Sequence, residues 1–457
     1  MLVRRTVVNL SADPRPRTPD PGGMNVRPVR GIRFNPDKVD DLSLVVAPPY
    51  DQIDSQIQAR LYELHPNNVA RITFGREEPG DNGARNKYQR ARETFERWLA
   101  DGVLIQDEEP AIYVYHQTYR IAGSEVTRQG FVALGELTDY SRKVVFPHER
   151  TLAKPKEDRL RLLQTTMGDF GLGFMLFQDP DGDALRAMAS TVAGEPLAEA
   201  RDLKGERHRL WRITNPRTSR SIQALMAPKR VIIADGHHRY ETALSYSKSH
   251  PGAGFKLMAF FSMDAPGLTI LPNHRLVHSV ADFSLGRLVA QATEWFDVAT
   301  LSAQPTVEAE AAALVARLSA GAAAGRIAVG LVAGGAPNGL MLTLRPEMFD
   351  KIPWPPGKPE VWKRLALSAL HEGLLQPFLG ITDEKLVAKT NVDYIADAAE
   401  AVRLARSEKY QAAFLLNPTT VEELRAVVEA GEVLPQKATH FYPKLLDGLV
   451  SAKVGGQ

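Results

Sequence analysis

Five consecutive residues carry the densest chemistry in the chain: Asp235-Gly236-His237-His238-Arg239. The apolar run Val231-Ile232-Ile233-Ala234 before them reads as a buried strand, and Tyr240 to Ser247 after them as a helix. A helix N-terminus presents unpaired N–H groups and a partial positive charge, and a phosphate placed there satisfies both. Gly236 allows a sharp turn and a close approach to a ligand. Arg239 can grip phosphate oxygens bidentately, and His237 and His238 can donate further hydrogen bonds. Asp235 is the odd member, because a carboxylate repels phosphate. It fits as a magnesium ligand or as a group that positions a hydroxyl.

Two other readings compete. Asp235 can simply cap the helix, with the histidines packing or facing solvent. Alternatively, a metal hydrolase would gather zinc on histidines, with His148, Glu149 and His274 completing the site. Adjacent His237 and His238 point in different directions on a helix and share one metal poorly. His274 and His278 have the spacing of a helical zinc pair, but Arg275 stands where a zinc protease carries Glu, and Pro272 argues against a helix.

The elements that must position these groups follow from the pattern. Leu44 to Ala47 is an apolar run stopped by Pro48-Pro49, so a loop displays Tyr50 and Asp51. Ala84 to Ala100 has helical spacing and ends at Gly102. Ala111–Tyr115 and Gln129–Leu134 read as strands of a hairpin that turns within Arg120 to Ser124. Lys143 to Phe146 leads to the polar run His148-Glu149-Arg150-Thr151. Lys154, Lys156 and Arg159 follow on what looks like a charged loop before a helix. Gly171–Phe177 and Lys256–Met263 read as further strands. Later come a helix over Val307–Ala324, a hairpin of Ile327–Val332 with Gly339–Leu344, and a capping box of Thr420 with Glu423 before a stop at Gly431.

Composition bounds the classes. At 457 residues the chain is too long for one ordinary core. Hydrophobic content of 44% and charged content of 24% are ordinary for a globular protein. A net charge of +2 gives no basic field that would argue for nucleic acid or membrane binding. The absence of cysteine excludes disulfides, thiolate zinc sites and a Cys nucleophile, and fits the cytosol. No apolar stretch approaches the roughly 20 residues of a membrane helix. Residues 1–23 read as a disordered tail or a mis-assigned start before Met24.

Several motifs in order resemble family 1015 of the domains of unknown function, from about Met24 to Val454. They are Val46 to Asp51, His65 to Asn68, His148 to Thr151, Lys154 to Lys156, Asp235 to Tyr240, Leu271 to Arg275 and Pro435 to Lys444. More distantly, Asp-Gly-His-His-Arg is similar to the phosphate-binding motif of ParB/sulfiredoxin-like free serine kinases, which phosphorylate L-serine with ATP or ADP and magnesium. The resemblance implies an α/β (α+β) architecture. Residues 24–265 would form a ParB/sulfiredoxin-like phosphate-binding domain with a large insertion, and residues 266–457 a second α/β domain. It also implies a nucleotide-dependent small-molecule kinase. Gly236, His237, His238 and Arg239, with Lys154 and Lys156, would hold ATP or ADP. Asp235 would hold magnesium or the acceptor hydroxyl, and Asp51, with His238, would act on the proton. Tyr50, His148, Glu149, Arg159, His274 and Arg275 would face the substrate, and Thr439, Tyr442 and Lys444 would reach the site from the second domain. A ParB-like regulatory or nucleic-acid-binding module is the alternative from the same fold. No motif speaks to oligomeric state.

Overall fold

The computed structural model describes residues 22–407 and 409–455. The expected tail at residues 1–23 falls outside them up to residue 21. Nine strands form the first sheet: β1 (Val26–Arg27), β2 (Ile112–Ile121), β3 (Ser124–Glu136), β4 (Val145–Phe146), β5 (Gly173–Phe177), β6 (Ala198–Arg201), β7 (Arg207–Ile213), β8 (Val231–Asp235) and β9 (Phe255–Ser262). Their order is β4-β8-β5-β9-β3-β2-β7-β6, with β1 beside β3. The pairs β8–β4 and β9–β5 are parallel and the others antiparallel. Ala122 and Gly123, both at positive φ, make the tight turn between β2 and β3, a backbone twist that suits a two-residue hairpin.

Three helices matter for the site. Asn86 caps α1 (Lys87–Ala100), accepting from Tyr88 N and Gln89 N, so the helix starts later than its apolar spacing suggests. Helix α2 (Ala153–Thr166) corrects the expected charged loop: Lys154, Lys156 and Arg159 lie on its first turns. Pro155 is tolerated there because the first-turn N–H groups have no intrahelical partner to lose. Helix α3 (His237–Ser247) follows β8 directly.

Six strands form the second sheet, antiparallel throughout: β10 (His274–Val277), β11 (Phe296–Thr300), β12 (Ala328–Val332), β13 (Leu340–Leu344), β14 (Val392–Ile395) and β15 (Ala412–Leu415), in the order β11-β13-β12-β15-β10-β14. Helix α4 (Val307–Ala323) packs on it, and α5 (Val421–Glu429) begins with the capping box of Thr420 and Glu423.

A division at residue 265 separates the two sheets but misplaces the end of the chain. His440–Tyr442 pairs with Thr269–Leu271, Ala47 bridges Asp447, Ile32 bridges Ser451, and Ala452–Lys453 pairs with Gly168–Asp169. The last segment therefore runs back along the first sheet. Its Phe441, Leu445, Leu446, Leu449 and Val450 are buried in the core that also holds Phe174 and Phe261. Burial of those side chains is what draws the segment back.

Candidate active site

The end of β8 is built to display Asp235. Its register with β5 shifts between Ile233 and Asp235, and such a bulge re-aims the side chain that follows. Gly236 then adopts φ 91, a conformation L side chains rarely take, and opens α3 with no side-chain cap. The helix-capping alternative for Asp235 therefore fails. Its Oδ2 accepts from Lys444 Nζ at 2.6 Å, and its Oδ1 lies 3.5 Å from Arg239 Nη2. Burial alone would raise the Asp235 pKa, but Lys444 and then Arg239 outweigh it and hold the group well below the usual carboxylate range.

Two compartments flank this ion-paired carboxylate. A cleft between the sheets, with about 1250 Å³ of empty space including its open mouth, is lined by Asp51, Glu149, Asp235, Thr439 and Lys444, and by Lys389 and Tyr394 from the second sheet side. A separate cavity holds Tyr50, Arg159, Arg239, Lys256 and Asp447. The short 3-10 turn Tyr50–Gln52 borders both. Asp51 is exposed in the cleft, and among the described residues its carboxylate has no hydrogen-bond or ion-pair partner. Tyr50 lies under the Arg159 guanidinium at 4.1 Å from its ring centroid, and burial, then Asp51, pushes its hydroxyl up to about 12.

The histidines have a different place from the expected one. His148 is buried: its Nδ1 donates to the Ile233 carbonyl, so its Nε2 accepts from Thr439 Oγ1 at 2.8 Å. Burial, then His237, lowers its pKa to about 4, which keeps the ring neutral. His237 Nε2 accepts from His148 N at 3.2 Å, and its Nδ1 lies 3.1 Å from Glu149 Oε1, off the line of a good hydrogen bond. Burial penalises the Glu149 carboxylate, but His237 outweighs that and holds it at about 2. His238 Nε2 accepts from Leu152 N at 2.9 Å. These rings fasten the 148–152 loop to α3, a structural task beside the donor and proton-transfer roles expected of them.

Other expected residues are also reassigned by their partners. Lys156 pairs with Glu241 at 3.1 Å, on the flank of α3, and Lys154 is exposed with no described partner. Arg159 donates to the Thr73 carbonyl at 2.7 Å and pairs with Asp158. His274 is buried, accepting from Leu416 N at 3.1 Å. Arg275 is 1% exposed and donates to the carbonyls of Asn273, Gln436 (3.0 Å) and Lys437 (3.1 Å). Arg275 thus ties the second sheet to the 436–437 stretch, and His274 ties β10 to the end of β15.

The donor set does not fit a resident metal. Both Asp235 oxygens face cations, so the expected magnesium ligand is already committed, and His148, Glu149 and His274 do not converge. Among the described residues no group of three or more His, Asp or Glu is placed to hold a metal ion.

Two residues the turn motif did not announce complete the site. Lys444 supplies the close cation for Asp235, and only the resemblance to family motifs pointed to it. Asp447 had no signal, since a lone Asp after Leu445-Leu446 looks like any other. It is 4% exposed, and burial, relieved in part by Arg239 and Arg159, pushes its carboxyl up to about 7.

A family described as a protein of unknown function, DUF1015, matches residues 26–362. The chain belongs to this family. The matched span includes the Asp235 turn but stops before Lys444. No curated protein matches in sequence. Among solved structures, a free serine kinase in complex with AMP is 16% identical over 65% of this chain and 83% of that one, at a TM-score of 0.33. A conserved hypothetical protein from Pyrococcus furiosus is 16% identical over 66% and 90%, also at 0.33. SbnI with C-terminal truncation from Staphylococcus aureus is 12% identical over 71% and 89%, at 0.33. At such scores the site must be judged on its own geometry. No helix among the described residues is long and apolar enough to cross a membrane.

Proposed function

We propose that the protein is a nucleotide-dependent phosphotransferase acting on a small hydroxyl compound, with L-serine the first acceptor to test. The observation that carries this is the Lys444–Asp235 ion pair in the cleft, with the unpaired Asp51 facing the same space. Phosphoryl transfer needs mainly positioning and neutralised charge, and this set offers both. Nucleotide phosphates entering the cleft meet the Lys444 ammonium, which can trade Asp235 for phosphate oxygens. Asp51 takes or orients the acceptor proton, since a general base must be within reach and free of partners. The similarity of Asp235 to Arg239 to the serine-kinase motif supports the acceptor class. Magnesium enters as part of the nucleotide substrate, not as a resident ion on Asp235.

Calorimetric titration of ATP and ADP, each with and without magnesium, tests this on wild type and Lys444→Ala, followed by an assay for phosphoserine from L-serine. Binding weakened by about tenfold to a hundredfold in the variant, the worth of a charged hydrogen bond, is expected. Binding without phosphoserine would keep the nucleotide site and discard serine. Failure of both nucleotides to bind would sink the proposal.

A further inference from the structure

The cavity on the far side of Asp235 contains an arginine with unused donors. The Arg239 side chain is 9% exposed, yet among the described residues its one polar contact is the long 3.5 Å approach to Asp235. Its Nε is buried with no partner. A guanidinium carries five N–H donors, and leaving them unmade in a buried place costs free energy unless something else meets them. Room has been kept for this group. A Cβ on Gly171 would come within 2.9 Å of Arg239 Cδ, and one on Gly236 within 3.1 Å of Nε. Arg239 does not line the nucleotide cleft; it lines the cavity with Tyr50, Arg159, Lys256 and Asp447.

The charge in the cavity sets the class of ligand. Lys256 is already paired with Asp169 at 2.5 Å, and Arg159 with Asp158. Arg239 and Asp447 remain, and the Asp447 carboxyl makes no hydrogen bond among the described residues. With Lys256 and Arg159 each neutralised by its own acid, the cation left over when Asp447 is protonated is Arg239, an excess of one positive charge. One negative charge balances it; a phosphate dianion overshoots. Burial raises the Asp447 carboxyl to about 7, so near neutral pH about half of it carries a proton that can be donated to an incoming anion. The rest of the wall is apolar, with Phe170, Phe255 and Ala243. The space inside is narrow: only about 60 Å³ admits the centre of a water-sized sphere, which limits a ligand to a few heavy atoms.

We propose that this cavity binds a small monocarboxylate with a short apolar body, its carboxylate on Arg239 and its body against Phe170 and Phe255. The site stands apart from the phosphotransferase proposal, because it needs no nucleotide. Ligand-detected NMR titration, with no nucleotide present, would compare isobutyrate and isovalerate with the neutral isobutyramide and with methyl phosphate. The acids should bind and the amide and phosphate should not. Arg239→Gln should weaken acid binding by about tenfold to a hundredfold, the loss of a charged hydrogen bond. Ala243→Leu keeps every charge and fills the apolar end, so it should weaken isovalerate more than acetate. Thermal melts would check that both variants fold. Acid binding no better than amide binding, a preference for methyl phosphate, or acid affinity unchanged in Arg239→Gln would each overturn the assignment. Should Arg239→Gln not fold, isovalerate affinity unchanged in Ala243→Leu would overturn it.

Discussion

The chain uses a His-Arg pair twice, and the two copies do opposite things. At His238-Arg239 the arginine faces carboxylates: Asp235 at 3.5 Å, with Asp447 and Asp51 near enough to shift its titration. At His274-Arg275 the arginine faces carbonyls, three of them, and its ring neighbour is Tyr394 at 5.1 Å. Carbonyl partners are backbone and cannot leave, so Arg275 is a permanent clasp between β10 and the 436–437 stretch. Carboxylate partners can be exchanged for a ligand's oxygens at little cost. What separates a binding arginine from a structural one here is the kind of acceptor around it, not its burial, since both are largely enclosed.

Substituting the clasp should give the largest effect. Arg275→Met takes the Arg275 donor from the Asn273 and Gln436 carbonyls, while Lys437 O keeps Asn273 Nδ2 at 3.0 Å, and each unmade bond costs about 1–3 kcal/mol. We expect a loss of about 2–5 kcal/mol in a denaturant titration, within the range of two unmade bonds. A loss below about 1 kcal/mol would dissolve the contrast drawn between the two arginines.

A smaller effect separates the same regions by pH. Asp447, beside Arg239, has a carboxyl raised to about 7, whereas the Arg275 pocket has no carboxylate partner. Between about pH 4, where an unfolded Asp titrates, and pH 7, the native state binds the proton that the unfolded state has lost. Stability therefore falls as pH rises through that window and levels off above it, the opposite of an ordinary ion-paired acid. Asp447→Asn should flatten this slope in melts recorded from pH 4 to pH 8, and an unchanged slope would assign the pH dependence elsewhere.

The smallest effect belongs to Lys154, which shares a family motif but joins neither region. Lys154→Ala should leave stability within about 0.5 kcal/mol and nucleotide affinity unchanged. A clear fall in affinity would show that the cleft extends to the first turn of α2.

Much of the local structure was legible because its causes are local. The strand–turn–helix at Asp235, the hairpin of β12 and β13, and the Thr420 capping box each follow from apolar period, glycine placement or a cap within a few residues. The helical start of α2 was not read, because Pro155 looks like a breaker until its place in the first turn is known. The loop-fastening bonds of His237 and His238 lay beyond the sequence for a different reason. A histidine's chemistry depends on which atoms meet its two nitrogens, and here they are Leu152 N, His148 N and Glu149, all distant in sequence from the turn.

By itself the sequence determined that a carboxylate, a glycine and a cation would stand at one strand-to-helix turn in a two-sheet α/β protein. Only the tertiary structure decided that Lys444 and Asp447 would join them. Those residues arrive because the final segment buries Phe441, Leu445 and Leu446 against the first sheet, a gain that acts between surfaces more than 150 residues apart and leaves no mark in local periodicity. That return put Lys444 on one side of Asp235 and Asp447 on the other, and so divided one motif into two compartments.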